Sequence, residues 1–143
     1  MFQMIYAARP FGFDAGVLLD ILMRARKRNS SLGVTGALLC RDDIYIQLLE
    51  GEQDAVAEIY DSILNDDRHV DIRELAARET VTRMFPGWAM RDDPVQSWMW
   101  SRDDVAKGVI RNARAEDAIA LFTRLACITP QVITNDEPVR LRS

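Results

Sequence analysis

The feature that most constrains this chain is a pair of apolar runs joined by a tight charged turn. Val34 to Cys40 leads into Arg41-Asp42-Asp43, and Ile44 to Glu50 follows at once. Two strand-length runs so closely linked predict an antiparallel hairpin. The second run, Ile44-Tyr45-Ile46-Gln47-Leu48-Leu49, is apolar at odd and even positions alike. Successive side chains of a strand leave on opposite faces, so this run predicts a central strand covered on both sides. Gln47 is the exception in it, an amide among apolar neighbours.

The flanking segments fit around that hairpin. Phe2, Met4 and Tyr6 alternate with Gln3, Ile5 and Ala7 and predict a first strand with its apolar side chains largely on one face. Asp14 is placed to cap a helix in which Val17, Ile21 and Ala25 recur at four-residue steps beside Leu18 and Leu22. Arg24, Arg26, Lys27 and Arg28 crowd its last turns and read as cations complementing the helix dipole. Asn29-Ser30-Ser31-Leu32-Gly33 ends it. A second amphipathic helix starts near Asp54, with Val56, Ile59, Tyr60 and Ile63 on one face, and stops at Asn65-Asp66-Asp67. Asp71 to Thr80 contains good helix formers without a clean apolar stripe and is assigned to a strand. Trp88-Ala89-Met90, after the Pro86-Gly87 turn, reads as a short last strand, with Trp88 and Met90 on the same face.

Beyond Pro94 two helices are expected, one opened by the capping box Ser101-x-x-Asp104 and one carrying Ala118, Leu121, Phe122 and Leu125. Their apolar stripes need cover, and the open sheet face is the nearest apolar surface. Pro130 and Pro138 mark a tail. The order strand, helix, strand, strand, helix, strand is that of an α+β ferredoxin-like domain, with two helices on one sheet face. That fold decides no function.

Composition narrows the function classes. At 143 residues the chain suits one domain with a core that needs neither disulfides nor a structural metal. Its net charge of −4 with dispersed acids argues against a protein built to grip nucleic acid. Cys40 and Cys127 are far apart and His69 is the only histidine, which fits a reducing cytoplasm and supplies no zinc site or His triad. No signal-peptide pattern and no membrane-spanning apolar run is present in the sequence. Dinucleotide, P-loop and nucleophile-elbow signatures are likewise missing from it.

What remains is a set of polar residues in apolar surroundings: Tyr6 in the first strand, Asn29 at the end of the first helix and Gln47 mid-strand. Taken alone, Tyr6 and Gln47 can simply satisfy each other and fix strand register. His69 can be a surface loop residue capping a helix end, and Trp88 and Met90 can be ordinary packing.

The ordered set Tyr6, Asn29, Gly33-Val34-Thr35-Gly36, Gln47-Leu48-Leu49-Glu50-Gly51, Asp66-Asp67-Arg68-His69 and Trp88-Ala89-Met90 resembles the BLUF family of flavin-binding blue-light sensors, in particular its short bacterial members with extra C-terminal helices. The resemblance implies a flavin-binding unit over residues 1–93, a helical extension over 94–128 and a tail over 129–143. It implies a non-covalently held FAD, with FMN or riboflavin also tolerated, whose ring lies between the two helices. Tyr6 would be the phenol that gives an electron and a proton, and Gln47 the amide whose hydrogen bonds rearrange. Asn29 would fix the ring's polar edge, Arg68 and His69 would stand near it, and Trp88 and Met90 would carry the output. Ala8 departs from the family, where many members carry serine. Flavin absorption responds to hydrogen bonding at its carbonyl, so turning one amide changes the spectrum with no cysteine adduct. In apolar surroundings that change is large, because an unmade buried hydrogen bond costs roughly 1–3 kcal/mol.

The resemblance further implies a sensor without enzymatic activity that signals to a separate protein, and the composition adds the expectation of a cytoplasmic chain binding neither nucleic acid nor membrane. A homodimer through the sheet or the terminal helices is compatible with it. Two other classes stay open on residues alone. One is a small ferredoxin-like enzyme, acylphosphatase-like or a monooxygenase, using Asn29, His69 or Arg9; the other is a colourless interaction module.

Overall fold

In the computed structural model the described residues are 1–10, 14–66 and 69–128. Along the chain they form β1 (Phe2–Pro10), α1 (Ala15–Ser31), β2 (Thr35–Arg41), β3 (Ile44–Gly51), α2 (Gln53–Leu64), β4 (His69–Glu79), β5 (Arg91–Pro94), α3 (Arg102–Ala106), α4 (Val109–Asn112) and α5 (Ala115–Leu125). The sheet runs β4-β1-β3-β2-β5, antiparallel except for the parallel β2–β5 pair. This is the ferredoxin-like order with one strand added at the β2 edge, and β3 is central as its two apolar faces predict.

Both sheet faces are covered. On one, Met4, Tyr6, Ala8, Leu38, Tyr45 and Leu49 pack with Leu18, Ile21 and Leu22 of α1 and Val56, Ile59 and Ile63 of α2. On the other, Ile5, Ala7, Leu39, Ile44, Ile46 and Leu48 pack with Ala118, Leu121, Phe122 and Leu125 of α5. β1 is therefore buried on both faces rather than largely on one, because α5 covers the face that the alternation left to Gln3, Ile5 and Ala7. The capping box on α3 is present, with the Ser101 side chain taking the Asp104 amide and the Asp104 carboxylate taking the Ser101 amide. The short α4 between the two expected helices carries too few residues to show a periodic stripe.

Local chemistry sets the elements that build the site. Asp14 accepts from the amides of Gly16 and Val17 and starts α1. At the other end Gly33 sits at φ 67°, its amide reaching the Ser30 carbonyl while the Val34 amide reaches that of Asn29. That is a Schellman closure, which holds Asn29 in the last helical turn. Gly36 has no alternative in β2, since a Cβ there would lie 1.9 Å from the Leu48 carbonyl oxygen. β4 forms despite its helix-forming residues because β1 offers it a long antiparallel partner and Leu75 and Ala76 are buried.

The last strand corrects the sequence reading. Trp88-Ala89-Met90 is not a strand; β5 begins at Arg91, and Trp88 meets β2 through the bond from the Gly36 amide to its carbonyl. Strand alternation therefore does not apply to these residues, and Trp88 and Met90 part: Met90 joins the α1/α2 layer while Trp88 packs with the α5 layer. The segment Arg91-Asp92-Asp93 looks solvated in sequence but is buried. Asp92 pairs with Arg26 at 2.7 Å and Arg91 with Asp93 at 2.7 Å. Arg26 is thus no dipole-complementing surface cation: it turns inward, also bonding the Met90 carbonyl at 3.1 Å.

Candidate functional site

A cleft of about 210 Å3 opens between the sheet and the two helices of the first layer. Ile21, Ala25 and Arg28 of α1, Ile63 of α2, Leu38 of β2, Gln47 of β3 and Met90 line it, with Arg24 and Asp66 among its polar groups. Pockets that enclose an entire drug-sized ligand run to ~300–1,000 Å3. This one suits a planar ring system whose remainder stays outside.

The polar groups around it are fixed by the fold. Tyr6 and Gln47 are direct partners across the β1–β3 pair, and both are buried. They do not bond each other: the Tyr6 hydroxyl has no partner among the described residues, and Gln47 Nε2 reaches Met90 Sδ at 3.4 Å. Burial raises the Tyr6 phenol well above the usual tyrosine range, and the nearby Arg28 guanidinium pulls it partly back, so the phenol keeps its proton. Asn29 donates to the Ala89 carbonyl at 2.9 Å while its own amide oxygen is buried without a partner among the described residues. Arg28 Nε is in the same condition, and burial lowers that guanidinium from the usual arginine value.

Three buried polar atoms from Tyr6, Arg28 and Asn29 therefore await partners that the described protein does not provide. Of these residues Arg28 lines the cleft, Tyr6 is the register partner of Gln47, which also lines it, and Asn29 follows Arg28 in α1. Leaving a buried polar group unmade costs ~1–3 kcal/mol each, so three such groups on residues at or next to the cleft lining point to a ligand with both donors and acceptors. The chemistry fits a flavin, whose ring is planar and apolar across its faces and polar along one edge. Arg28 escaped the sequence reading because it looked like one more cation at a helix end; its place one residue before Asn29 was the available signal.

The other expected positions are distributed as follows. His69 opens β4 opposite Pro10 and is not in a loop; its side chain and the whole of Arg68 lie outside the described residues. Ala8 is buried in the α1/α2 layer. Arg9 is exposed and paired with Asp71 at the surface, away from the buried Asn29. The described residues include no cluster of three or more metal-ligating side chains and no helix long and apolar enough to cross a membrane.

A ferredoxin-like sheet covered on both faces, with a ring-sized, partly polar cleft under one helix pair, defines a small-molecule-binding domain. The family model described as BLUF, sensors of blue-light using FAD, matches residues 1–91, and the chain belongs to that family. The blue light- and temperature-regulated antirepressor BluF of Escherichia coli is 36% identical over 90 residues, 63% of this chain and 22% of that protein. The photoactivated adenylate cyclase subunit beta of Euglena longa is 34% identical over 74 residues, 51% of this chain and 9% of that protein. The chain thus spans under a quarter of the length of either relative. The dark-state structure of the BLUF protein BlrB superposes with a TM-score of 0.74 at 26% identity, covering 88% of this chain and 95% of that one.

Proposed function

We propose that this chain is a cytoplasmic, non-enzymatic blue-light sensor that holds FAD non-covalently, with the flavin ring in the cleft over Gln47. The observation that carries this reading is the set of buried polar atoms without partners among the described residues on Arg28, which lines the cleft, on Asn29 next to it in α1, and on Tyr6, the register partner of the cleft-lining Gln47. Asn29 and Arg28 would hold the ring's polar edge, while Ile21, Ala25, Leu38 and Ile63 exclude water from its faces. Arg68 and His69 would stand nearby. Bound flavin supplies absorption of blue light and a strongly oxidising excited state.

The protein's own part is small and local. The Tyr6 phenol, kept neutral by burial, is the source of one electron and one proton and takes both back on relaxation. Gln47 turns its amide in response, exchanging the weak bond to the Met90 sulfur for a new set of partners. Sulfur is a poor acceptor, so this dark-state bond is the inexpensive one to give up. Met90 and Trp88 then carry the change outward, and a separate protein receives it. The cyclase and the antirepressor among its relatives give the kinds of output to which such sensors are joined.

The absorption spectrum of the purified protein tests the reading. A yellow protein whose flavin band shifts reversibly to the red under blue light is expected, and Gln47→Leu should keep the flavin and lose the shift. A colourless protein would favour a plain interaction module. A normal light-minus-dark spectrum in Gln47→Leu would remove Gln47 from the mechanism.

A further inference from the structure

Glu50 ends the Gln47-Leu48-Leu49-Glu50 run, three residues past Gln47 and on the other sheet face, and it is fully buried. Its neighbours across the sheet are Gln3 on β1 and Thr35 on β2. Oε1 accepts from Gln3 Nε2 at 3.2 Å and from the Met84 amide at 2.8 Å. Oε2 accepts from Thr35 Oγ1 at 2.9 Å and from the Phe85 amide at 2.8 Å. Two guanidinia back these partners up: Arg78 donates to the Gln3 amide oxygen, and Arg83 donates to the Thr35 hydroxyl and the Glu50 carbonyl.

Two of the four donors are backbone amides midway along the connection from β4 to β5. From there the chain is held by further bonds on its backbone. The Trp88 amide reaches the Phe85 carbonyl, Gly36 holds the Trp88 carbonyl, Asn29 that of Ala89 and Arg26 that of Met90. At the end of this run the Met90 sulfur arrives beside the Gln47 amide. Gln47 and the anchor of the segment that touches it are thus carried by the same strand, one on each face.

We propose that Glu50 is a positioning residue for the Gln47–Met90 contact: its carboxylate pins Met84 and Phe85 to β3 and so sets where Trp88 and Met90 lie in the dark. A carboxylate is needed because four donors converge on two oxygens, and each oxygen receives two of them. In a glutamine of the same shape one of those oxygens becomes an NH2 group, which faces two donors and can accept from neither. This role rests on the sensor reading for its effect on light response, whereas the placement of Met90 in the dark does not depend on it.

Glu50→Gln in the flavin-loaded protein is the test, with the 13C resonance of the Met90 methyl group, assigned through Met90→Leu, as the dark-state readout. A displaced or broadened Met90 resonance is expected while the resonance of Met23, exposed on α1, stays put. The dark-recovery rate should change on the order of tenfold, the scale of one lost charge-assisted hydrogen bond. In a Met90→Leu background Glu50→Gln should have no further effect on recovery, because Glu50 acts through Met90. Thr35→Val, which removes one donor and leaves the carboxylate, should move the same resonance by less and serves if Glu50→Gln does not fold. An unmoved Met90 resonance in the folded variants, or recovery effects that multiply independently in the double variant, would overturn the proposal. Absence of any photoproduct in the parent protein would instead refute the sensor reading and leave the resonance measurement decisive for Glu50.

Discussion

Tyr6→Phe separates a residue that serves the packing of β1 against β3 from one that serves a ligand. If the phenol bonded Gln47, removing its hydroxyl would cost the flavin-free protein about 0.5–1.5 kcal/mol. The hydroxyl is instead buried with no partner among the described residues, a condition that costs ~1–3 kcal/mol. Deleting it returns part of that cost and opens only a small space beside Tyr60, whose ring lies 5.6 Å away. Flavin-free Tyr6→Phe should therefore be as stable as the parent or up to ~2 kcal/mol more stable. At ~3–4 °C per kcal/mol for a chain of this size, the midpoint rises by up to ~8 °C. Urea unfolding of the flavin-free proteins, followed by tryptophan emission, gives the number if both show the same slope with denaturant. In the flavin-loaded variant the reversible red shift should be gone with the flavin retained. A fall of 1 kcal/mol or more would show that the hydroxyl has a protein partner after all, and a normal light-induced spectrum would show that the phenol is not the electron donor.

Other expectations follow from the same geometry. Because the cleft suits the ring and not an entire dinucleotide, FMN and riboflavin should bind within about tenfold of FAD by calorimetric titration; a loss of most affinity with the adenylate would mean that the phosphates are gripped. Arg26→Leu leaves Asp92 buried opposite an apolar side chain and should cost ~3–5 kcal/mol in urea unfolding; a cost under ~1 kcal/mol would show that solvent reaches the pair. Illumination should lower hydrogen-exchange protection in α5, which shares its apolar layer with Trp88; equal protection in light and dark, with a normal photocycle, would send the signal elsewhere.

How much of this was legible in the sequence depends on how far away the deciding partner lies. The hairpin, the Asp14 cap and the α5 stripe were readable because turn chemistry, capping and periodicity are local, and their residues are buried or bonded as expected. The start of β5 was not. Arg91-Asp92-Asp93 carries the composition of a solvated turn, and its burial depends on partners as distant as Arg26, 66 positions earlier than Asp92, and the Ile128 carbonyl. Arg26 and Arg28 were misjudged for the same reason, since a basic helix end looks identical whether its cations face water, a buried aspartate or a cleft. Tyr6, Gln47 and Asn29 stood out as polar residues in apolar runs, but whether Tyr6 and Gln47 bonded each other turned on side-chain geometry that spacing does not carry.

The alternation along β5 limits how this protein can move. Asp92 points to the helix layer, where Arg26 meets it, and Met90 lies in that same layer, whereas Arg91 reaches the Ile128 carbonyl at 2.6 Å and stacks over Phe85 in the other. A slide of β5 along β2 by one residue would exchange the two faces, bringing the Arg91 guanidinium toward that of Arg26 in a dry interior. The strand has a parity, and odd steps are forbidden to it. Whatever leaves the cleft must travel by side chains trading places or by the strand tilting as a whole, and a tilt would have to loosen the bonds that hold the segment from Met84 to Met90.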